Sequence, residues 1–518
     1  MKATRLLMLG VLAAACAPAP AQIATVQPMP DAGVLMQAAA TIQPRDFYAR
    51  IGFLASDALQ GRDTPSQGLE AAAAYMSADF YRMGLVPAGI DGYLQRWPFV
   101  TRALDAAAAR LELQTTAGRR ALTYRTDFYI APGSRPPFSG GIVFVGREIP
   151  AAEVRQETLR DRAVALYMPQ LSQVALLRAR NAADSAGAAA IIVALGPDVT
   201  EATIAQAAAA AERPVRAVPQ MPVFFVRNDR AREMFRDAAL DFDALTRPEG
   251  PRPPVALSGV TAHIGAVVGE IEHSPPNVVA LLPGSDPVLR NTYVVFSAHF
   301  DHVGTAGTGS FQCTAIGDNR ICNGADDDAS GTAAVMEIAE AFSRLPVPPR
   351  RSVIFLAVSG EEKGLLGSRY FADNPTVPID SIIANINMDM VGRNHPDSVV
   401  VIGQTYSSLG PLLHRVNEQL PDLRMTISDD LWPDQRFFFR SDHYNFARRE
   451  IPSIFFFTGV HEDYHRPTDT VDKIDLDKIT RIARLAFHFA YAIADDPARP
   501  RWVPEGLEEV RRMVNQGR

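Results

Sequence analysis

The chain has 518 residues, of which 47% are hydrophobic and 21% are charged. This length exceeds one ordinary hydrophobic core and predicts two or three domains. The formal net charge is −7, from 51 basic and 58 acidic residues, and no dense basic stripe is present. The composition therefore argues against nucleic acid as a partner.

The N-terminus predicts export. Residues 1–5 are short and basic, and residues 6–15 are apolar but too few to span a bilayer, which is typical of a removed signal peptide over residues 1–21. Two cleavage patterns stay open: residues 19–21 fit a small-x-small site, whereas residues 12–16 resemble a bacterial lipoprotein box that would place a lipid anchor at Cys16. No later segment reads as a transmembrane helix, so we expect a periplasmic or secreted protein.

Beyond Cys16 the chain contains two further cysteines, Cys313 and Cys322. An even pair in an exported chain predicts a disulfide between them. The bond would close a glycine-rich loop that has neither a helical nor a strand pattern.

The first folded elements follow a linker. Residues 22–43 are rich in Pro, Ala and Gln without periodicity and are predicted to be that linker. Residues 44–104 then show helical patterns, and the longest predicted helix covers residues 68–83 and ends at Gly84, which we expect to adopt the left-handed conformation of a helix C-terminus. We assign this segment to the N-terminal part of a larger domain.

Residues 105–264 have a different character and predict an inserted α/β domain. Apolar β runs at 141–145, 163–167 and 190–194 alternate with helical stretches such as 173–183, and a proline-rich segment at 247–254 bounds the domain. The segment contains almost no histidine and no cluster of acids with histidine, so we expect no chemistry there. Two roles stay open for it, a substrate-binding module and a spacer that walls a cleft.

Residues 265–496 predict a second α/β region whose strands share one feature. Four apolar runs, at 293–296, 352–358, 382–388 and 451–457, each lead into acidic or histidine residues. In an open, mostly parallel sheet the carboxyl ends of the strands form the ligand-binding edge. A helix over 475–494 is expected to cover one face of the sheet, and residues 497–518 read as a peripheral tail.

The residues at these strand ends form one candidate constellation: His299, Asp301, Asp326, Asp327, Asp328, Glu361, Glu362, Asp389 and His465. So many anions would repel one another strongly unless cations lay among them. Two Zn²⁺ ions would bring four positive charges, which three ligating carboxylates and a hydroxide cancel. The charge count therefore favours two metals over one.

The motifs that carry these residues resemble a known family. They are Ser297 to Asp301, Gly324 to Gly331, Gly360 to Gly364, Asn387 to Met390 and Tyr464 to Thr470, and their order along the chain is similar to that of the co-catalytic di-zinc aminopeptidases of peptidase clan MH, which include bacterial leucyl aminopeptidases and glutamate carboxypeptidase II. The resemblance covers residues 44–104 and 265–496, and the insert resembles a protease-associated domain. It implies an α/β fold: a three-layer α/β/α zinc-exopeptidase domain with a mostly parallel mixed sheet, plus the smaller inserted α/β domain.

The resemblance also implies a role for each site residue. His299 and Asp389 would bind one zinc, Glu362 and His465 the other, and Asp327 would bridge the two ions. Glu361 is implied as the general base. Asp301 is implied as the partner that orients the His299 imidazole, and Tyr464 as a contact to the oxyanion.

Other residues near these motifs are predicted to be structural. His302, His443 and His461 are expected to make hydrogen bonds rather than bind metal, and Arg393 to pair with a local acid. Residues 437–439, three phenylalanines, are predicted to be core or cleft wall, with an apolar pocket for a substrate side chain as the alternative.

The sequence thus predicts an exported zinc exopeptidase that acts on peptides, with aminopeptidase activity favoured. A carboxypeptidase of the glutamate carboxypeptidase type is the nearest alternative, although it would call for an arginine cluster in the pocket that the sequence does not clearly offer. Glutaminyl cyclases share the fold but use one zinc, and binding proteins of the transferrin-receptor kind have lost ligands. The full ligand set argues against both. The substrate side chain and the oligomeric state are left open.

Overall fold

The computed structural model describes residues 32–149, 156–247, 253–307 and 312–516. The predicted signal peptide and Cys16 lie outside these residues. Within them, no helix is both long enough and apolar enough to cross a membrane.

A nine-stranded mixed sheet organises the larger domain. Its four central strands are mutually parallel and almost completely buried, as expected for a sheet covered on both faces. Antiparallel strands flank this centre, and Leu94–Arg96 pairs beside Val86–Pro87 on the same neighbour. Apart from Leu94–Arg96, the strands lie across the sheet in the order Val86–Pro87, Pro276–Leu282, Ser352–Val358, Tyr293–His299, Ile382–Met388, Ser453–Phe457, Ser398–Ile402 and Thr426–Ser428.

Helices cover both faces of this sheet. Along the central strand, Val294 and Phe296 belong to the core on one face and Val295 to the core on the other, because successive side chains of a strand point to opposite sides. The predicted three-layer α/β/α architecture is therefore confirmed. The α-helices of this domain are Ala32–Ala39, Pro44–Leu54, Gln67–Arg82, Gly331–Ser343, Leu366–Asp373, Leu409–Glu418, His443–Ala447, Leu476–Asp495 and Pro504–Gln516.

The inserted α/β unit has its own eight-stranded sheet and two hydrophobic cores, one on each face. Its strands run in the order Gly118–Leu122, Arg110–Thr115, Val255–Gly265, Phe138–Phe144, Ala163–Met168, Ala190–Leu195, Val223–Val226 and Phe128–Ala131. Its helices are Gln156–Leu159, Gln173–Ser185, Glu201–Ala211, Asn228–Asp237 and Phe242–Thr246.

Strand pairing and hydrogen bonds connect the insert to the larger domain. The segments that enter and leave the insert, Phe99–Leu104 and Val268–His273, pair as a two-stranded antiparallel sheet. Arg216 of the insert donates a hydrogen bond to the carbonyl of Lys363 at 2.7 Å. The insert therefore reaches the loop directly after Glu362. Its role and its resemblance to a protease-associated domain stay predictions.

Two predicted helices have the expected ends. The helix predicted at 68–83 is Gln67–Arg82; the Ser66 hydroxyl accepts a hydrogen bond from the Leu69 amide at its start, and Gly84 follows with φ of 78°. The helix predicted at 475–494 is Leu476–Asp495, and the Asp475 carboxylate caps it by accepting from the Lys478 amide.

Two predicted irregular segments contain helices instead. Residues 32–39 of the predicted linker form Ala32–Ala39, whose residues Ala38 and Ala39 pack into the main core. The predicted peripheral tail contains Pro504–Gln516, whose residues Val510 and Met513 pack into a cluster with aromatic residues. Tertiary packing of a few apolar side chains stabilises both helices, which local sequence alone does not predict.

Candidate metal centre

The carboxyl ends of the four central strands bring the predicted ligands to one edge of the sheet. His299 is the last residue of its strand, and Asp389 directly follows Ile382–Met388. Glu362 lies four residues beyond Ser352–Val358, and His465 lies in the loop after Ser453–Phe457. The parallel pairing of these strands places the side chains together.

The first group of potential donor atoms comprises His299, Asp327 and Asp389, all buried. Nε2 of His299 lies 3.3 Å from Oδ1 of Asp327 and 3.6 Å from Oδ1 of Asp389. These separations are close to the distance between two ligands of a tetrahedral zinc, about 3.3–3.4 Å for bonds of 2.0–2.1 Å.

The second group comprises His302, Asp327, Glu362 and His465. Nε2 of His465 lies 3.2 Å from Oδ2 of Asp327 and 3.2 Å from Oε1 of Glu362. Asp327 thus belongs to both groups and turns one carboxylate oxygen toward each, as a carboxylate that bridges two metals would. The predicted ligands converge, and His302 joins them.

The buried atoms of the second group support a cation at this position. Oδ2 of Asp327, Oε1 of Glu362 and Nε2 of His465 are all shielded from solvent, and none of the described residues forms a hydrogen bond to them. Buried polar atoms are otherwise almost always satisfied. Their His, Asp and Glu chemistry is that of zinc ligands, so the residues fit the metal that the sequence implies.

The electrostatics of the site follow from the same crowding. Burial by itself would raise the pKa of Asp327, but the neighbouring imidazoles hold it well below its ordinary value. Burial likewise opposes ionisation of Glu362, yet His302 and His465 lower its pKa to about 2. Both carboxylates are therefore held as anions, the form that binds a metal.

Two of the three consecutive aspartates serve the backbone. The Asp328 carboxylate accepts hydrogen bonds from the amides of His299, Gly331 and Met390, at 3.2, 2.9 and 3.1 Å. Asp326 accepts from the Gly392 amide at 2.7 Å. This arrangement leaves Asp327 as the aspartate of the run that is aimed into the site.

Glu361 lies beside the two groups and faces the same cleft as His299, Asp327 and Asp389. Its amide donates to Oδ1 of Asp301 at 3.2 Å. Burial raises the pKa of the Glu361 carboxyl well above its ordinary value; His299 opposes the shift and Glu362 adds to it. Glu361 is therefore a buried carboxyl group that lies at the cleft without belonging to either donor group.

Asp301 supports His299 in a different way from the one predicted. Nδ1 of His299 lies 3.1 Å from the backbone carbonyl oxygen of Asp301, while the nearer carboxylate oxygen is 3.7 Å away. The carboxylate instead accepts from the Thr64 hydroxyl at 3.0 Å and from the Glu361 amide. Asp301 therefore orients the imidazole through its main chain and connects it to the Glu361 loop through its side chain.

A further set of buried groups orients Asp389. The Ser441 hydroxyl donates to Oδ2 of Asp389 at 2.7 Å, and the Asn387 amide nitrogen donates to Ser441 at 2.7 Å. The amides of Asp326 and Asp327 are in turn held by the Asp469 carboxylate at 3.0–3.2 Å. Asp469 lies in the last of the five motifs and Ser441 lies outside them, and the contacts of both residues depend on the fold and were not predicted.

Arg62 is the supporting residue that sequence reasoning missed. Its fully buried guanidinium donates to the carbonyls of Phe300, Asn323 and Gly324 at 2.7, 2.7 and 3.0 Å, and also to the carbonyl of Leu54. It thereby joins the loop after His299 to the loop before Asp326. A lone arginine in a polar break carries no signal that could have identified it.

A cleft opens over the first donor group. Tyr464 lies at the cleft and stacks on His465 with 3.8 Å between ring centroids. Phe437 forms part of the wall, as predicted for residues 437–439. The lining residues are His299, Asp327, Glu361, Asp389, Met390, Phe437, Arg440, Phe455, Phe457, Val460 and Tyr464.

The remaining predicted residues have local partners. Arg393 pairs with Asp463 at 2.9 Å, as expected. His443 is buried between Phe438 and Phe455, and burial lowers its pKa to about 3, so it is a neutral core histidine. His461 lies 3.3 Å from Oδ2 of Asp326. The ring nitrogens of His443 and His461 form no hydrogen bond with any described residue, so the hydrogen bonds expected of these two histidines are absent.

The predicted disulfide is present. Cys313 and Cys322 are joined with an S–S distance of 2.06 Å. Sγ of Cys322 lies 3.4 Å from the carbonyl oxygen of His465. The bond therefore ties the glycine-rich loop against a residue of the second donor group.

Comparisons with known proteins identify chains that are similar in sequence. Residues 277–490 match the family described as peptidase family M28. A leupeptin-inactivating enzyme from Streptomyces exfoliatus is 33% identical over 138 residues, which are 26% of this chain and 27% of that protein. A probable leucine aminopeptidase from Arthroderma otae is 27% identical over 255 residues, 46% of this chain and 65% of that protein. The chain thus spans less than two thirds of the length of these relatives.

Among solved structures, an aminopeptidase from Aneurinibacillus sp. strain AM-1 aligns with a TM-score of 0.49 and 19% identity, covering 90% of this chain and 97% of that one. A zinc aminopeptidase from Bacillus subtilis aligns with a TM-score of 0.47 and 17% identity, covering 88% of this chain and 97% of that one.

Proposed function

Because residues 277–490 match the family described as peptidase family M28, we propose that the chain is a zinc-dependent exopeptidase that removes N-terminal residues from peptides. The observation that carries this proposal is Asp327, whose two carboxylate oxygens face two separate groups of buried donors. One of the relatives is a probable leucine aminopeptidase, which supports the choice of aminopeptidase over other peptidases.

The donor groups would hold two zinc ions. His299, Asp327 and Asp389 would bind one ion, and Asp327, Glu362 and His465 the other. When bound, such a pair supplies positive charge that lowers the pKa of a water molecule and polarises a carbonyl.

Glu361 is the proposed general base. It takes a proton from the attacking water as the new C–O bond forms, and it returns that proton to the leaving amine as the C–N bond of the peptide breaks. Its place beside the first donor group, outside both groups found among the described residues, leaves the carboxylate available for this transfer.

The cleft fits a substrate with a free α-amine. Glu361, Asp327 and Asp389 line it and provide negative charge for an ammonium group. Phe437, Phe455 and other apolar side chains also line the cleft and provide surface for an apolar side chain. Tyr464 at the same cleft is the proposed contact to the oxyanion.

The carboxypeptidase alternative has one supporting observation. Arg440 lines the cleft, and its guanidinium lies 4.7 Å from the centre of the Phe437 ring. A single exposed arginine stacked on a ring offers one charge for a substrate carboxylate, whereas the three carboxylates favour an amine.

A panel of chromogenic aminoacyl substrates and their N-acetylated counterparts, assayed with and without a chelator, tests the proposal. We expect hydrolysis of the free substrates alone, loss of activity with the chelator and recovery with added zinc. Equal turnover of acetylated substrates would contradict an aminopeptidase, and activity that resists prolonged chelation and dialysis would contradict a metallopeptidase.

Export to the periplasm or beyond remains part of the proposal. It is supported by the signal-like pattern of residues 1–21 and by the Cys313–Cys322 bond, because disulfides persist mainly in oxidising compartments. Intact mass of the mature protein distinguishes cleavage after Ala21 from lipidation at Cys16.

A further inference from the structure

His302 occupies an unusual environment for a histidine without an assigned role. Its side chain is fully buried, and neither ring nitrogen forms a hydrogen bond with any described residue. Buried polar atoms are nearly always paired, so an imidazole with two unpaired nitrogens requires an explanation. The question is what the ring faces.

Nδ1 of His302 faces the second donor group. It lies 3.0 Å from Oε1 of Glu362 and 3.7 Å from Oδ2 of Asp327. The shorter contact is close enough for a hydrogen bond but lacks the required alignment, since both atoms remain unpaired. Two ligands of one metal ion approach each other in this way, closely and without pointing at each other.

All four donor atoms of the second group lie close to one another. Nδ1 of His302, Oδ2 of Asp327, Oε1 of Glu362 and Nε2 of His465 lie within 4.8 Å of one another. The four separations between neighbouring donors are 3.0, 3.2, 3.2 and 3.7 Å. A tetrahedral zinc with bonds of about 2.0–2.1 Å separates its ligands by about 3.3–3.4 Å, which lies within this range.

The backbone and a second ring fix the orientation of His302. A Cβ atom on Gly324 would lie 2.6 Å from Cγ of His302, so only glycine lets the ring pack against this turn. The His302 and His465 rings meet edge to face with 5.5 Å between their centroids. The ring is thus held with Nδ1 toward the donors.

We propose that His302 is a fourth protein ligand of the zinc bound by Asp327, Glu362 and His465. This inference rests on the proposed metallopeptidase function and makes its two metal positions unequal. Four protein donors would fill a tetrahedral site, as in structural zinc sites, whereas the three donors His299, Asp327 and Asp389 would leave one position open. These three donors line the aromatic cleft beside Glu361.

Zinc titration of His302→Ala against a chromophoric chelator is the first test. We expect one of the two zinc equivalents to lose more than the ~10–100-fold in affinity that the loss of an outer partner costs, while the other changes little. His443→Ala is the matched control, because it removes another buried imidazole with unpaired nitrogens outside the donor groups. It should keep both affinities. Affinities within threefold of wild type for His302→Ala would overturn the proposal.

Anomalous diffraction from zinc-loaded crystals of the wild-type protein decides the question without a variant. A zinc about 2.0–2.1 Å from Nδ1 of His302 establishes the ligand, and a separation beyond 3 Å overturns it whatever the titration gives. The aminopeptidase assay on the same protein separates the two hypotheses. Hydrolysis with His302 away from the metal refutes only this inference, whereas ligation without hydrolysis refutes only the proposed function.

Discussion

The division of labour between the adjacent residues Glu361 and Glu362 gives the sharpest test of the mechanism. Glutamine at position 361 keeps the shape of the side chain and the amide that donates to Asp301. The carboxylate that accepts a proton is then the one group lost. We expect kcat to fall by ~10²–10⁴-fold, the usual contribution of a general base. At about 1.36 kcal/mol per tenfold, this is about 2.7–5.4 kcal/mol of the activation barrier.

The assay measures kcat on a free aminoacyl substrate together with zinc content by elemental analysis. Glu361→Gln should retain the zinc content of the wild type. Glu362→Gln is the matched control: Oε1 of Glu362 lies 3.2 Å from Nε2 of His465 inside the second donor group, so this variant should lose zinc affinity first. A Glu361→Gln enzyme that loses its zinc, or that keeps more than a tenth of wild-type kcat, would refute the assignment.

Three further changes probe the groups around the site. Asp327→Ala removes the carboxylate shared by both donor groups, so elemental analysis should find the loss of both or nearly both zinc ions, and retention of one tightly bound ion would contradict the bridge. Ser441→Ala removes the hydroxyl that donates to Asp389, and chelator competition should show zinc affinity lower by about 10–100-fold at one position; unchanged affinity would mean that packing alone orients Asp389. Cys313→Ser opens a ring between residues nine apart, which should cost about 2.5–3 kcal/mol in the free energy of unfolding, and an unchanged urea midpoint would show that the loop is held by other contacts.

The architecture of the nine-stranded sheet could be predicted from the sequence because each central strand is a distinct apolar run. The apolar run at 293–296 forms the first four residues of Tyr293–His299, and each of the other three predicted strands lies in the parallel centre of the sheet. Parallel pairing then places all four carboxyl ends at one edge, so the meeting of His299, Asp389 and Glu362 followed from topology.

Side-chain direction was harder to predict than position. Asp301 lies where expected, but it contacts His299 through its carbonyl because its carboxylate is taken by Thr64 and Glu361. His302 was expected to be an ordinary structural histidine, yet its ring faces the second donor group. Both outcomes depend on how the chain turns after the strand, and that turn is set by distant groups such as Arg62.

The run of three aspartates shows how the fold makes the site specific. The three aspartates are alike in sequence but differ in their hydrogen bonds. Asp328 accepts from three backbone amides and Asp326 accepts from the amide of Gly392. Asp469 holds the amides of Asp326 and Asp327 and so fixes the turn between them. Asp327 is thereby presented with one oxygen toward each donor group. Asp326 and Asp328 are not members of either donor group, and they hold in place the one carboxylate that both metals would share. Because their carboxylates are paired with backbone amides, the acidic loop is buried instead of solvated.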